Sequence, residues 1–362
     1  MTEKAKNVVV TIVFVFIITT LFIINILKKD TDISIAERRK LEHFPEFSIS
    51  KLFDGSFFEK FDKYSMDQFI RRDEFRKLKV GVEFNILKKQ NYNNIYKYDD
   101  YLIEQTYELN EKSVTNVANK INQIKDLYLS SDNNIYYTIV PDKNYFVNKD
   151  NLKIDYSKLE DIMKQNLSTI QYIKIFDLLE LSDYYKTDTH WKQENLPKIA
   201  NEIASKMNIN VNTQYEKIKV TDFKGVYASQ VPIKTQNEPM YILTNKTLEN
   251  CTVYNYESKK QTTVYDMKKK NSLDKYDIYL SGATPLLTIE NPQNNNKKEL
   301  IVFRDSYGSS LIPLLVEAYN KITVVDTRYV SPKILGEYID FSNKDVLFIY
   351  STLIINNSIS LK

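Results

Sequence analysis

Residues 300–319 read LIVFRDSYGSSLIPLLVEAY, and no other stretch restricts the fold so far. The segment opens with an apolar run from Leu300 to Phe303. It breaks at the small polar turn Arg304-Asp305-Ser306-Tyr307-Gly308, then resumes with helical spacing from about Ser309 to Tyr319. A second apolar run, Ile322 to Val325, follows. Strand, tight turn, helix and strand in that order make one βαβ unit of a parallel sheet. A serine in the strand-to-helix turn stands at the carboxyl edge of such a sheet, where open α/β folds bind ligands. It also lies beside free N–H groups at a helix start, which can hold a developing oxyanion. Ser306 is therefore the reference point for the rest of the chain.

The other periodicities agree with this frame. Val114, Val117, Ile121, Ile124 and Leu127 recur at helical spacing over 110–129, and residues 159–167 are also helical in pattern. Residues 134–140 (NIYYTIV), 172–176 and 345–350 (DVLFIY) form nearly continuous apolar runs, as suits buried parallel strands. Helices alternate with strands, which is the α/β pattern. Between about 210 and 296 helical periodicity fades and short alternating stretches appear, so a β-rich insertion is expected there. A length of 362 residues accommodates one large or two modest domains.

The amino end is different. Residues 8–27 (VVVTIVFVFIITTLFIINIL) carry no charge over 20 positions, enough to span a bilayer. No small-x-small cleavage site follows, so an uncleaved single-pass anchor is expected, preceded by a cytoplasmic tail over 1–7. Lys4 and Lys6 precede the span, while Lys28, Lys29, Arg38, Arg39 and Lys40 follow it; long domains translocate largely regardless of such charges. Residues 28–109 read as a helical linker packing on a main domain over 110–362. Its aromatic stripe Phe53, Phe57, Phe61, Tyr64 and Phe69 reads as core. A small hairpin is expected over 94–104, turning at Asp99-Asp100.

The chain has two histidines, His43 and His190, so a histidine base must be one of them. Asp188 and His190 lie two apart. In an extended segment that spacing puts both side chains on one side, where the carboxylate can fix the imidazole tautomer. Each piece alone has a bland reading: a histidine beside Trp191 is usually structural, and a turn serine is often a helix cap. Ser309 or Ser310 can supply that cap instead of Ser306. Together the pieces meet the requirements of a Ser–His–Asp acyl-transfer site. A metal site on Asp188 and His190 lacks further signposted ligands. The single Cys251 allows neither an internal disulfide nor a cysteine zinc site. With 50 basic and 47 acidic side chains and no basic run, no nucleic-acid footprint is present.

Thr187-Asp188-Thr189-His190-Trp191, followed later by Arg304-Asp305-Ser306-Tyr307-Gly308-Ser309-Ser310, resembles the SGNH-hydrolase-like family of the alginate acetylation proteins, and in particular its DHHW branch in Gram-positive bacteria. Glu37-Arg38-Arg39, residues 140–143 (VPDK), 279–282 (YLSG) and 325–329 (VDTRY) extend the likeness from about Glu37 to the end. Thr189 stands where the branch name has a second histidine. The resemblance implies a circularly permuted SGNH-like parallel sheet flanked by helices. In it Ser306 is the nucleophile, His190 the base and Asp188 its partner, with no cofactor. Tyr307, Arg304, Lys143, Arg328 and Trp191 are the oxyanion- and substrate-binding candidates, although loop-positioning ion pairs account for the cations equally well. It further implies transfer of acetyl groups to an exported polysaccharide, of which a cellulose-like glucan is one option. The acetyl donor would be a polytopic membrane-bound O-acyltransferase, and the catalytic domain would lie outside the cell. A carbohydrate acetylesterase using the same triad, and a catalytically silent polysaccharide-binding scaffold, are the competing readings.

Overall fold

A computed structural model describes residues 2–34, 37, 39–147, 151–211 and 214–362. The chain divides into two units, Met1–Tyr92 with Ser229–Lys234, and Asn93–Ala228 with Thr235–Lys362. The hairpin Ile95–Tyr98/Tyr101–Glu104 belongs to the second unit. Asp99 turns it with φ 48°, in the left-handed region that a short polar side chain tolerates.

In the first unit Glu3–Leu27 is one helix of 25 residues with no residue buried, about 37 Å long at a rise of about 1.5 Å per residue. That is long enough, and apolar enough, to cross a bilayer. Helices Ile49–Phe53, Ser56–Asp67 and Arg72–Asn85 follow. Ion pairs tie the last two together through Glu37 and Arg39. Glu37 meets Arg39 at 3.0 Å, Arg72 at 2.6 Å and Arg76 at 3.3 Å. Asp67 grips Arg39 through both oxygens, at 2.8 and 2.5 Å. The Arg39 hydrogen bond holds the Asp67 carboxyl below the usual carboxylate range. Arg38, the middle of that motif, lies outside the described residues. The aromatic stripe is not a core. Helix Ser56–Asp67 buries Asp67 and none of its rings, and Phe53 is 86% exposed. The rings of Phe57, Phe61 and Tyr64 face Phe44 instead, and that partner is itself exposed.

The second unit is built on an eight-stranded sheet. Its strands in chain order are β1 (Asn134–Val140), β2 (Gln171–Ile173), β3 (Thr252–Asn255), β4 (Lys260–Thr262), β5 (Leu286–Glu290), β6 (Glu299–Arg304), β7 (Lys321–Val325) and β8 (Asp345–Ser351). Across the sheet they run β4-β3-β5-β7-β6-β8-β1-β2. Strands β7, β6, β8, β1 and β2 are parallel, whereas β5, β3 and β4 join antiparallel at one edge. The sheet is thus mixed, mostly parallel, where a parallel sheet was expected. Three strands of the expected β-rich insertion extend the main sheet. A fourth and fifth, Glu216–Phe223 and Glu238–Thr244, pair separately.

Both faces of the central strands are covered, which is why their sequences are apolar throughout. Leu300 and Val302 of β6 pack in one core with Ile199 and Ile203 of helix Pro197–Lys206. Ile301 and Phe303 pack in the other, with Val117 and Ile121 of helix Glu111–Tyr128 and Leu159 of helix Tyr156–Asn166. The crossover from β6 to β7 departs from a regular helix: one α-turn, Gly308–Leu311, passes into a 3-10 segment, Ile312–Ala318. Pro313 lacks the N–H that an α-helix would use there. Similarly, β2 ends at Ile173, and Phe176 already lies in a 3-10 turn.

Candidate active site

The turn after β6 is fixed by Asp305, whose side chain is buried. One of its oxygens accepts from the Tyr307 N–H at 3.0 Å and the other from the Ser351 N–H at 2.7 Å, at the end of neighbouring β8. Gly308 makes the turn possible, since a Cβ there would sit 2.7 Å from Arg304 Cβ. Ser306 is the partly exposed residue between buried Asp305 and buried Tyr307.

The Asp-x-His segment is not extended. A bridge between Tyr184 and Trp191, with the Tyr185 N–H donating to the His190 carbonyl at 3.0 Å, closes it into a turn. The two side chains still meet, because the turn folds Asp188 back onto His190. Asp188 Oδ1 lies 2.6 Å from His190 Nδ1 and accepts the His190 backbone N–H at 3.1 Å, while Oδ2 accepts the Val226 N–H at 2.9 Å. Burial opposes charge on Asp188, but His190 and these hydrogen bonds outweigh it and hold the carboxyl well below the usual range. An ionised carboxylate only accepts, so Nδ1 carries a proton towards Asp188, the tautomer in which Nε2 is the ring's acceptor. Ser306 Oγ lies 2.8 Å from that Nε2. Tyr276 stacks on the imidazole, with centroids 3.9 Å apart and planes 10° from parallel, and its hydroxyl reaches Ser310 Oγ at 2.7 Å.

The structure thus brings Ser306, His190 and Asp188 into one hydrogen-bonded line. The five oxyanion- and substrate-binding candidates have other engagements. The Tyr307 N–H is taken by Asp305, and its hydroxyl donates to the Thr189 carbonyl at 2.8 Å. Trp191 is fully buried, with Nε1 donating to the Tyr307 carbonyl at 3.1 Å and Ser310 Oγ at 3.0 Å, so it joins the Asp188–His190 turn to the Ser306 turn. Arg304, also fully buried, donates to the Gly282 carbonyl at 2.7 Å and lies 3.6 Å from Asp326. Arg328 is held by both oxygens of Asp326, at 2.9 and 2.7 Å. Lys143 is buried beneath the Asp188 turn. Its ammonium donates to the carbonyls of Leu102, of Tyr185 at 3.0 Å and of Lys186 at 3.4 Å. Burial pushes it down to about 7. The loop-positioning reading of these cations is the one their contacts match. Among the described residues no three His, Cys, Asp or Glu side chains converge as a metal donor set.

Three contributors carry no sequence signal of their own. Tyr276 is one tyrosine among 27. Gly225 packs so closely on Asp188 that a Cβ would lie 2.2 Å from Asp188 Cβ. Asp277, next to Tyr276, packs on Gly282, whose φ is 78°. Burial, with the nearby Asp274, pushes the Asp277 carboxyl up to about 6, in part against the pull of His190 and Arg304.

Known proteins share both sequence and fold with this chain. The family described as "DHHW protein" matches residues 175–325. No curated protein is similar enough in sequence to match. A DHHW family protein from Eubacterium siraeum superposes with a TM-score of 0.59 at 19% identity, over 75% of this chain and 94% of that one. Bacillus cereus PatB1 superposes with a TM-score of 0.57 at 18% identity, over 72% and 96%. PatB1 carrying a sulfonyl adduct gives 0.57 at 17%, over 72% and 97%. These likenesses establish a shared α/β fold. The matched stretch, residues 175–325, is the one that holds Asp188, His190 and Ser306, and there the chain is similar to the DHHW family.

Proposed function

We propose that this protein is a membrane-anchored O-acetyltransferase that modifies an exported polysaccharide through Ser306, His190 and Asp188. The observation that carries the reading is the continuous line from Ser306 Oγ to His190 at 2.8 Å and on to Asp188 at 2.6 Å. His190 takes the Ser306 proton as Oγ attacks the carbonyl carbon of an acetyl donor. The Ser306 N–H, which has no acceptor among the described residues, holds the oxyanion. As the tetrahedral intermediate collapses, His190 hands its proton to the departing group, leaving acetyl-Ser306. A sugar hydroxyl then gives its proton to His190 and attacks the acetyl carbon, and Ser306 leaves with that proton. The acetyl and polysaccharide assignments rest on the resemblance to the alginate acetylation family. The same resemblance supplies the polytopic O-acyltransferase as donor and an extracellular catalytic unit. Helix Glu3–Leu27 supports the anchor. Because Ser306 is partly exposed, water can reach it, which favours an esterase as the second reading.

The test uses the full chain in detergent, a chromogenic acetyl ester and a sulfonyl fluoride. Wild type is expected to turn the ester over and to gain one sulfonyl group by intact mass, with fluoride leaving as the O–S bond forms. Ser306→Ala and His190→Ala should lose turnover by roughly 10⁴-fold or more. Equal turnover by all three would refute the triad. Added oligosaccharide separates transfer from hydrolysis: acetylated sugar supports the transferase, acetate alone the esterase.

A further inference from the structure

The first unit carries an aromatic cluster that its own core does not use. Phe44 meets Phe57, Phe61 and Tyr64 edge-on, with centroids 6.4, 5.9 and 5.3 Å away, and Phe47 meets Phe57 at 5.6 Å. Phe44, Phe47 and Phe61 are nevertheless 58%, 64% and 40% exposed. Single exposed apolar side chains are ordinary, but a contiguous patch of rings marks an interaction surface.

Its position says what covers it. The Ile70 N–H donates to Asn25 Oδ1 at 2.8 Å, inside the last turn of the spanning helix. Lys28 Nζ donates to the Gln68 carbonyl at 3.1 Å, and Gln68 Oε1 accepts the Thr31 N–H at 2.9 Å. Tyr64, a member of the cluster, donates to Asp30 at 3.2 Å. Asn25 lies three residues before Lys28, about 4.5 Å along the axis. The headgroup layer is itself about 5–7 Å deep on each side of the hydrocarbon. The start of helix Arg72–Asn85 and the end of helix Ser56–Asp67 are therefore pinned at the depth where the span leaves the hydrocarbon. Aromatic rings are favoured at that depth.

We infer that the Phe44–Phe47–Phe61 face lies on the leaflet into which helix Glu3–Leu27 emerges, so that the first unit is both threaded through the bilayer and seated on it. Burying these rings among headgroups and upper acyl chains removes from water an apolar surface that the fold leaves uncovered. This rests on the anchor reading of Glu3–Leu27.

The test is depth-dependent quenching with the full chain in phosphatidylcholine vesicles. An environment-sensitive dye is placed at Phe44→Cys or Phe47→Cys, with nitroxide lipids labelled near the headgroup or deep in the chain. The native Cys251 is buried. Glu59→Cys, on the opposite side of helix Ser56–Asp67 from Phe57 and Phe61, is the water-side control. Phe16→Cys, mid-span, reports on the anchor alone. Blue-shifted emission at 44 and 47, with most of it lost to the shallow nitroxide and little change at 59, is the expected result. Water-like emission at 44 and 47 overturns the proposal. So does blue-shifted emission that the lipids do not quench, which would mean that protein covers the face. A dye at 16 that deep nitroxides fail to quench overturns the anchor itself, and is thereby distinguished from failure of the docked face.

Discussion

Asp188 can occupy its place because residue 225 has no side chain. A methyl group at Gly225 would lie 2.2 Å from Asp188 Cβ and 2.5 Å from its Oδ2, while the neighbouring Val226 N–H holds that same oxygen. Gly225→Ala should therefore displace the carboxylate by a fraction of an ångström to an ångström. It is expected to lower kcat/KM on an acetyl ester by about a hundredfold with far-UV circular dichroism unchanged. Asp277 makes a different prediction. Its folded pKa, about 6, lies above its unfolded value. Such an acid favours folding fully below the unfolded pKa, and that contribution is lost as pH rises through about 6. Asp277→Asn should therefore gain stability relative to wild type as pH rises from 4 to 7, read as the difference in thermal midpoints; an unchanging difference would refute the assignment. At this scale the sequence discloses the hydrogen-bonded line of Ser306, His190 and Asp188 and little of its support. A turn serine and an Asp-x-His segment are local patterns. That Arg304 and Lys143 are wholly buried depends on Gly282 and on the carbonyls of Leu102 and Tyr185, distant positions that no local pattern reveals.

Helices and strands with strong periodicity were legible almost to the residue. Helix Glu111–Tyr128 and strands β1 and β8 fall where their apolar spacing places them. Where the reading failed, packing overrode the pattern. The crossover after Gly308 looks helical, but Pro313 divides it into an α-turn and a 3-10 segment. The stripe on helix Ser56–Asp67 has core-like spacing, yet spacing reports a face and not what covers it. Helix Arg72–Asn85 offers a clean check on its own integrity. Gly81 lies mid-helix, and a Cβ there would meet nothing closer than 4.0 Å. Gly81→Ala should stabilise by about 0.5–1 kcal/mol in chemical unfolding, without effect on ester turnover.

Across the larger unit, the α/β class was evident from alternating patterns, whereas strand order was not, because pairing partners are remote in sequence. Strands β5, β3 and β4 look like an insertion in one dimension and prove to be one edge of the sheet in three. The same remoteness shapes how the molecule comes into being. Strand β8 lies between β6 and β1, and Asn134 bonds Asp345 across 211 residues. Asp305 in turn needs the Ser351 N–H to set the Ser306 turn. A chain made from its amino end therefore cannot close its sheet, or give Asp305 its partner at Ser351, until β8 has been made. Until then β1 and β6 present unpaired edges, so folding is slow by topology and prone to association. A truncation before β8 is therefore expected to leave an aggregating fragment in place of a folded sheet, read as loss of soluble protein on expression.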